Sequence, residues 1–169
     1  MKTPHTVLLR EYLDQEGDEG NIIAFKEAGD ELVDFVARGE KYRWFEVFLR
    51  PIGFLYRHYL ELELKYWIKE IKGNQLKGHD LRCLWFKLKA LIEPYCESQV
   101  GQEMLSEVEE VILIFDEYDP TGEGFRYTRT MKGAETLRNV PSRIDVKKVK
   151  ILIERVSNFF TGLDSCVSI

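Results

Sequence analysis

Cysteine and histidine are scarce in this chain, with three of each in 169 residues. Cys83, Cys96 and Cys166 are odd in number and widely spaced, and no Cys-x-x-Cys pair exists. Neither a disulfide framework nor a zinc site follows from that spacing, and the three read as free thiols of a reducing compartment. No apolar run approaches the roughly 20 residues that a membrane span needs. Residues 7–9 are apolar, but Arg10 and Glu11 follow at once, so no secretory core is read there. A cytoplasmic location without a membrane partner is the expectation. Internal repeats and low-complexity tracts are also lacking. Positive charge is short: the net charge is -5, which argues against a dominant non-specific nucleic-acid surface while leaving room for a local basic patch. Gly122-Glu123-Gly124 is too short for a phosphate loop, and Asp116, Glu117 and Asp119 match no calcium-loop spacing. Neither a metal nor a cofactor is therefore expected.

What is present is enough for one folded domain over residues 1–169, with a core over about residues 19–161. Hydrophobic residues make up 44% of the chain, sufficient for a core, and charged residues 31%, sufficient to solvate its surface. The periodicity predicts a short helix over 6–13 and a polar, glycine-bearing connection over 14–20. A helix over about 21–38 follows, with Phe25, Ala28, Leu32 and Val36 at helical spacing and Gly39 at the stop. An aromatic helical turn over 42–49 leads to Pro51, which suits the first turn of a helix running to about residue 71. Leu81, Leu84, Trp85, Leu88, Leu91 and Ile92 form the apolar stripe of the next helix, which Pro94 ends. Another helix spans about 98–118, with an acidic outer face of Glu103, Glu107, Glu109 and Glu110. The stretch 119–124 is a dense turn signal, and 125–130 with 135–140 reads as a small β-hairpin turning at 131–133. Asp145 caps a last helix to about residue 160, and 162–169 reads as a frayed tail. The expected fold is all-α, an antiparallel bundle of about five helices with a small hairpin before the last one.

The helix after Pro51 has two faces. At about 100° per residue, Leu55, Tyr56, Tyr59, Leu60, Leu62, Tyr66, Trp67 and Ile71 share one broad arc. His58, Glu61 and Lys65 fall together on the other side, flanked by Arg57. An imidazole, a carboxylate and an amine are the ingredients of proton transfer, and equally of a solvated face with an ordinary Glu61–Lys65 pair. Glu63 falls inside the apolar arc. A carboxylate there needs a partner, and a tyrosine hydroxyl, Arg126 or a second subunit would serve.

A second group lies further along the chain. Asp80 has a structural reason to precede a helix, since its side chain accepts backbone N–H bonds at the N-cap. His79 beside it has no such reason. In Phe125-Arg126-Tyr127, Arg126 suits either a phosphate or carboxylate ligand, or an internal salt bridge to Asp119, Glu61 or Glu63 that pins the hairpin to the bundle.

Three segments together resemble a known family. Arg57-His58-x-x-Glu61-Leu62-x-Leu64-Lys65, then Gly78-His79-Asp80-Leu81-x-x-Leu84-Trp85, then Asp119 with Phe125-Arg126-Tyr127, are similar in order and spacing to bacterial HEPN-like proteins. The resemblance covers about residues 51–160. It implies an up-and-down helical bundle, often a homodimer. Many HEPN proteins are RNA-cleaving toxins or components of phage defence and toxin–antitoxin systems; others bind nucleotides or act as non-catalytic partners. Catalytic members carry an Arg followed after four to six residues by a His. Here the positions that would hold that Arg are Pro51, Ile52 and Gly53 ahead of His58, and Lys72, Gly73 and Asn74 ahead of His79. The motif is absent.

Two functions follow. In one, a defence- or toxin-type protein acts on RNA or a nucleotide through a non-standard site, with His58, Glu61, Lys65, His79 and Arg126 catalytic and Arg57, Asp80 and Tyr127 binding ligand. In the other, the same cluster is structural, and the domain is a non-catalytic module that dimerises or binds a partner defence protein.

Overall fold

The computed structural model describes residues 9–39, 43–74 and 76–167. The described residues are helical, with helices α1 (Leu9–Ala37), α2 (Arg43–Lys72), α3 (Leu81–Ile92), α4 (Gln99–Tyr118) and α5 (Val146–Cys166), and a 3-10 turn at Glu93–Tyr95. Helix α2 packs against α1, α3 and α5; α4 packs against α3 and α5, and α1 against α5. Trp85, Tyr56, Tyr59, Leu60, Ile112 and Ile153 are among the largest side chains fully removed from solvent, one or more from each of α2 to α5.

The first helix is longer than the sequence pattern predicts. The 14–20 stretch, expected as a connection, is helical, with Gly17 and Gly20 inside α1. A glycine in a helix costs about 1 kcal/mol, and tertiary contacts offset it here. Asp18 accepts from Lys69 at 2.7 Å, and Glu19 accepts a hydrogen bond from the Tyr66 hydroxyl, tying this turn to α2. The beginning of the expected first helix, at 6–8, lies outside the described residues. Gly39, at a φ of 55°, stops the helix near its predicted end.

Helix α2 also begins earlier than Pro51 suggests, and the proline lies within it. Proline removes the bond to the carbonyl four residues back. Here that carbonyl belongs to Val47, and both Val47 and Pro51 are exposed, so the loss falls on the solvent side. Gly73 ends α2, its N–H donating to the Lys69 carbonyl. Asp80 caps α3, accepting from the Cys83 N–H at 2.7 Å, and Ser98 and Asp145 cap α4 and α5 through side-chain oxygens. Helix α5 continues to Cys166, past the predicted end near residue 160, because Leu163 is buried one turn further on.

The expected β-hairpin does not form. Among the described residues only one isolated bridge occurs there, Arg129 to Glu135. The turn at 130–133 is made, with the Thr130 N–H donating to the Ala134 carbonyl at 2.8 Å and Gly133 at positive φ. The ladder stops because its acceptors are taken. Arg50 on α2 donates to the carbonyls of Gly124 at 2.6 Å and Tyr127 at 2.9 Å, and the Thr136 hydroxyl also donates to the Tyr127 carbonyl. A guanidinium from the helix occupies the place of a pairing strand. Phe125 holds the segment down from inside: a Cβ at Gly53 would lie 2.3 Å from its ring. Only glycine on α2 leaves room for that ring.

Candidate polar site

Arg57, Glu61 and Lys65 occupy successive turns of α2, so their side chains meet along its surface. The face they occupy is not solvated as its composition suggests. Arg57 and Glu61 are each 3% exposed, and Asp119 is buried beside them. The two-faced reading of α2 fails because the helix is enclosed on several sides; Leu64 and Ile68 are buried as well.

Arg57 is the hub. Its Nε donates to the Asp119 carbonyl at 2.8 Å, its Nη1 to Glu61 Oε2 at 3.2 Å and its Nη2 to the His79 carbonyl at 2.6 Å. One guanidinium thus joins α2, the end of α4 and the loop before α3. The Asp119 carboxylate faces the same guanidinium, with Oδ2 3.6 Å from Nε, and accepts from the backbone N–H groups of Gly124 and Phe125. It folds the chain after α4 back onto α2. An internal clamp was one of the two roles open to Arg126 in the sequence; the structure assigns it to Arg57, with Arg50 as a second tether that the sequence pattern did not single out. Neither has a local signal, because the partners lie 62 and 74 residues away.

Glu61 is surrounded by donors. Besides Arg57, Lys65 Nζ lies 2.7 Å and His79 Nδ1 2.8 Å from Oε1. Burial raises the carboxyl, but the hydrogen bonds from Lys65 and His79 outweigh it and hold Glu61 below the usual carboxylate range. An ionised, fully hydrogen-bonded carboxylate is a poor base. It fixes the orientation of its partners instead. With Nδ1 protonated, His79 donates to it, and the side chain is 63% exposed.

The remaining expected site residues lie elsewhere. His58 turns from the cluster into an aromatic niche, edge-on to Phe25 at 4.4 Å and stacked on Phe54 at 5.6 Å. Burial pushes its imidazolium below its ordinary value, with Lys65, Arg126 and Arg57 adding to the effect and Glu61 opposing it. Arg126 is exposed; its Nε donates to the Gly122 carbonyl, and its guanidinium lies 6.0 Å from the Phe54 ring and 5.8 Å from the Tyr127 ring. The Tyr127 side chain is exposed while its backbone carbonyl takes part in the Arg50 tether. Asp80 is spent on its cap. Asp116 takes a forked pair of bonds from the backbone N–H and Nε of Arg82. Glu109, expected on the acidic outer face of α4, is half-buried and accepts from the Trp85 indole at 2.9 Å and from Lys89 at 2.7 Å. The structure therefore brings together Arg57, Glu61, Lys65 and His79, adds Asp119, and separates His58, Asp80, Arg126 and Tyr127 from them.

Glu63 is half-buried without the Arg126 partner considered for it. Burial, reinforced by Glu19, pushes its carboxyl up to about 7 against the influence of nearby Tyr59 and Trp67. No helix among the described residues is long and apolar enough to cross a membrane. Comparison with protein-family models, with curated proteins and with solved structures finds no match in any of the three.

Proposed function

We propose that this chain is a non-catalytic interaction module, an antiparallel helical bundle of the HEPN-like kind that works as a homodimer or as the partner of a defence-type protein. The observation that carries this reading is the internal use of the buried charges. The guanidinium of Arg57 and the carboxylates of Glu61 and Asp119 are engaged by one another, by Lys65 and His79, or by backbone groups. Charges so arranged hold segments together and are not free to bind phosphate. The lack of the Arg-x4-6-His motif points the same way.

One observation favours a second reading. Glu61 anchors Nδ1 of His79, whose ring is largely exposed. A carboxylate-oriented imidazole with its other nitrogen toward solvent is the geometry of a proton-transfer group. In that reading His79 would act on the hydroxyl of an RNA ribose or a nucleotide, with Lys65 beside it. The two readings separate in one experiment. Wild type and His79→Ala are incubated with single-stranded and structured RNA, and their masses in solution are determined by light scattering. The module reading expects the same absence of cleavage from both proteins and an assembled species in both. RNA cleavage by wild type that disappears in His79→Ala overturns it in favour of the second.

A further inference from the structure

A second polar feature lies away from the Arg57 cluster, in the cleft between α1, α2 and α5. Its volume is about 400 Å³, within the range of small-molecule sites. Tyr66, Trp67 and Phe160 give it aromatic walls, and Trp67 stacks on Phe160 with their ring centres 6.4 Å apart. Glu63 and the Tyr59 hydroxyl supply its polar end.

Among the described residues, the Tyr59 hydroxyl lacks a close hydrogen-bond partner, and Glu63 lacks a counter-ion. Tyr59 is 1% exposed, and its hydroxyl has no hydrogen-bond partner among the described residues. It lies beside Glu63 and the Ser157 hydroxyl and closes a bond to neither, while the Trp67 side chain flanks the Glu63 carboxyl. A buried hydroxyl left open is costly and uncommon in native proteins. Among the described residues no cation lies beside Glu63. The cation lining the cleft is Lys26, already paired with Asp30 at 2.8 Å and Glu154 at 2.6 Å. Glu19 and Glu27 add further negative charge to the rim, and Glu19 is engaged by Tyr66.

We propose that this cleft binds a small organic cation, a primary alkylammonium, whose N–H groups meet the Glu63 carboxylate and the Tyr59 hydroxyl while its alkyl chain lies against the aromatic walls. An ammonium supplies the charge that Glu63 lacks and the donor that the Tyr59 oxygen can accept. Aromatic faces favour cations as well as apolar chains. A divalent metal fits less well, since calcium takes six or more oxygens and the polar end offers one carboxylate, one phenol and the Ser157 hydroxyl, with Glu19 on the rim engaged by Tyr66. The site is independent of the interaction-module reading, because it shares no residue with the Arg57 cluster.

Binding also depends on pH. The ammonium needs the ionised form of Glu63, which the raised carboxyl reaches only as pH rises through about 7. The groups facing it are Glu19, Lys26 and Glu27 from α1, Tyr59 and Tyr66 from α2, and Glu154 from α5, whose charge is met by Lys26.

The test is calorimetric titration of the full chain with butylammonium chloride, with 1-butanol as the neutral control. Wild type is expected to bind butylammonium saturably at millimolar concentrations, more tightly at pH 8 than at pH 6, and not to bind butanol. Glu63→Gln should weaken binding about tenfold or more, and Tyr59→Phe several-fold, as expected when bonds to a charged group are lost. Both variants keep the shape of the native side chain, and their circular dichroism checks that they fold. A lysine derivative with blocked backbone ends separates a free amine from a lysine side chain of another protein. Preference for butylammonium supports the proposal, and binding of the lysine derivative alone overturns it. Equal binding by Glu63→Gln, equal binding of butanol, or no saturable binding overturns it too.

Discussion

Glu63→Gln is expected to stabilise the protein at neutral and alkaline pH, although it removes a charge from a charged protein. The Glu63 carboxyl sits at about 7 in the folded chain against an ordinary value of 4.5. The folded state therefore prefers the protonated form. Its contribution is fully present below pH 4.5 and is lost as pH rises through about 7. At about 1.4 kcal/mol per pH unit, that gap amounts to about 3 kcal/mol of stability missing above pH 8. Glutamine imitates the protonated carboxyl in shape and cannot ionise, so the variant keeps what wild type loses. The assay is urea unfolding followed by circular dichroism between about pH 5 and pH 8. Wild type should lose about 2–3 kcal/mol relative to the variant across that range. His58 contributes with the opposite sign. Its depressed value makes its contribution fully present above 6.5 and lost as pH falls, but it is common to both proteins and cancels in their difference. Parallel stability curves for the two proteins would refute the reasoning, since Glu63 would then be as well solvated folded as unfolded.

Other substitutions probe the clamp. Arg57→Met removes the donor shared by α2, the α4 terminus and the loop before α3. It should cost about 3–5 kcal/mol, the range for breaking a buried pair, or a drop in Tm of about 10 °C on thermal unfolding. Gly53→Ala places a Cβ against the Phe125 ring. Its helix-propensity gain of about 1 kcal/mol should be outweighed by overpacking of about 1–3 kcal/mol, with faster tryptic cleavage at Arg126 and Arg129 as the segment lifts. Glu61→Gln should blunt acid unfolding: the native carboxylate contributes stability above 4.5 that is lost as pH falls through its depressed value, so the variant's Tm should vary less below that pH. His79→Ala, by contrast, should change the Tm little, because Glu61 keeps its bonds from Arg57 and Lys65 when the largely exposed imidazole is removed.

The sequence by itself determined the helices and most of their ends. Apolar spacing of three and four residues marked all the long helices, and Asp80, Asp145 and Gly39 marked boundaries among them, because caps and stops act within one turn of chain. It also placed His58, Glu61 and Lys65 on one stripe with Arg57 flanking it, a grouping that holds for Arg57, Glu61 and Lys65 but not for His58, which turns into its aromatic niche. The tertiary structure decided the rest. Whether residues 14–20 are helix depends on Lys69 and Tyr66 reaching back from α2. Whether 125–140 becomes a hairpin depends on Arg50 taking carbonyls that a strand would need. Whether the Arg57 stripe is solvent-facing or buried depends on Asp119 and His79 arriving from other elements. These are competitions between local preference and partners distant in sequence, and only the folded arrangement sets which partner is within reach.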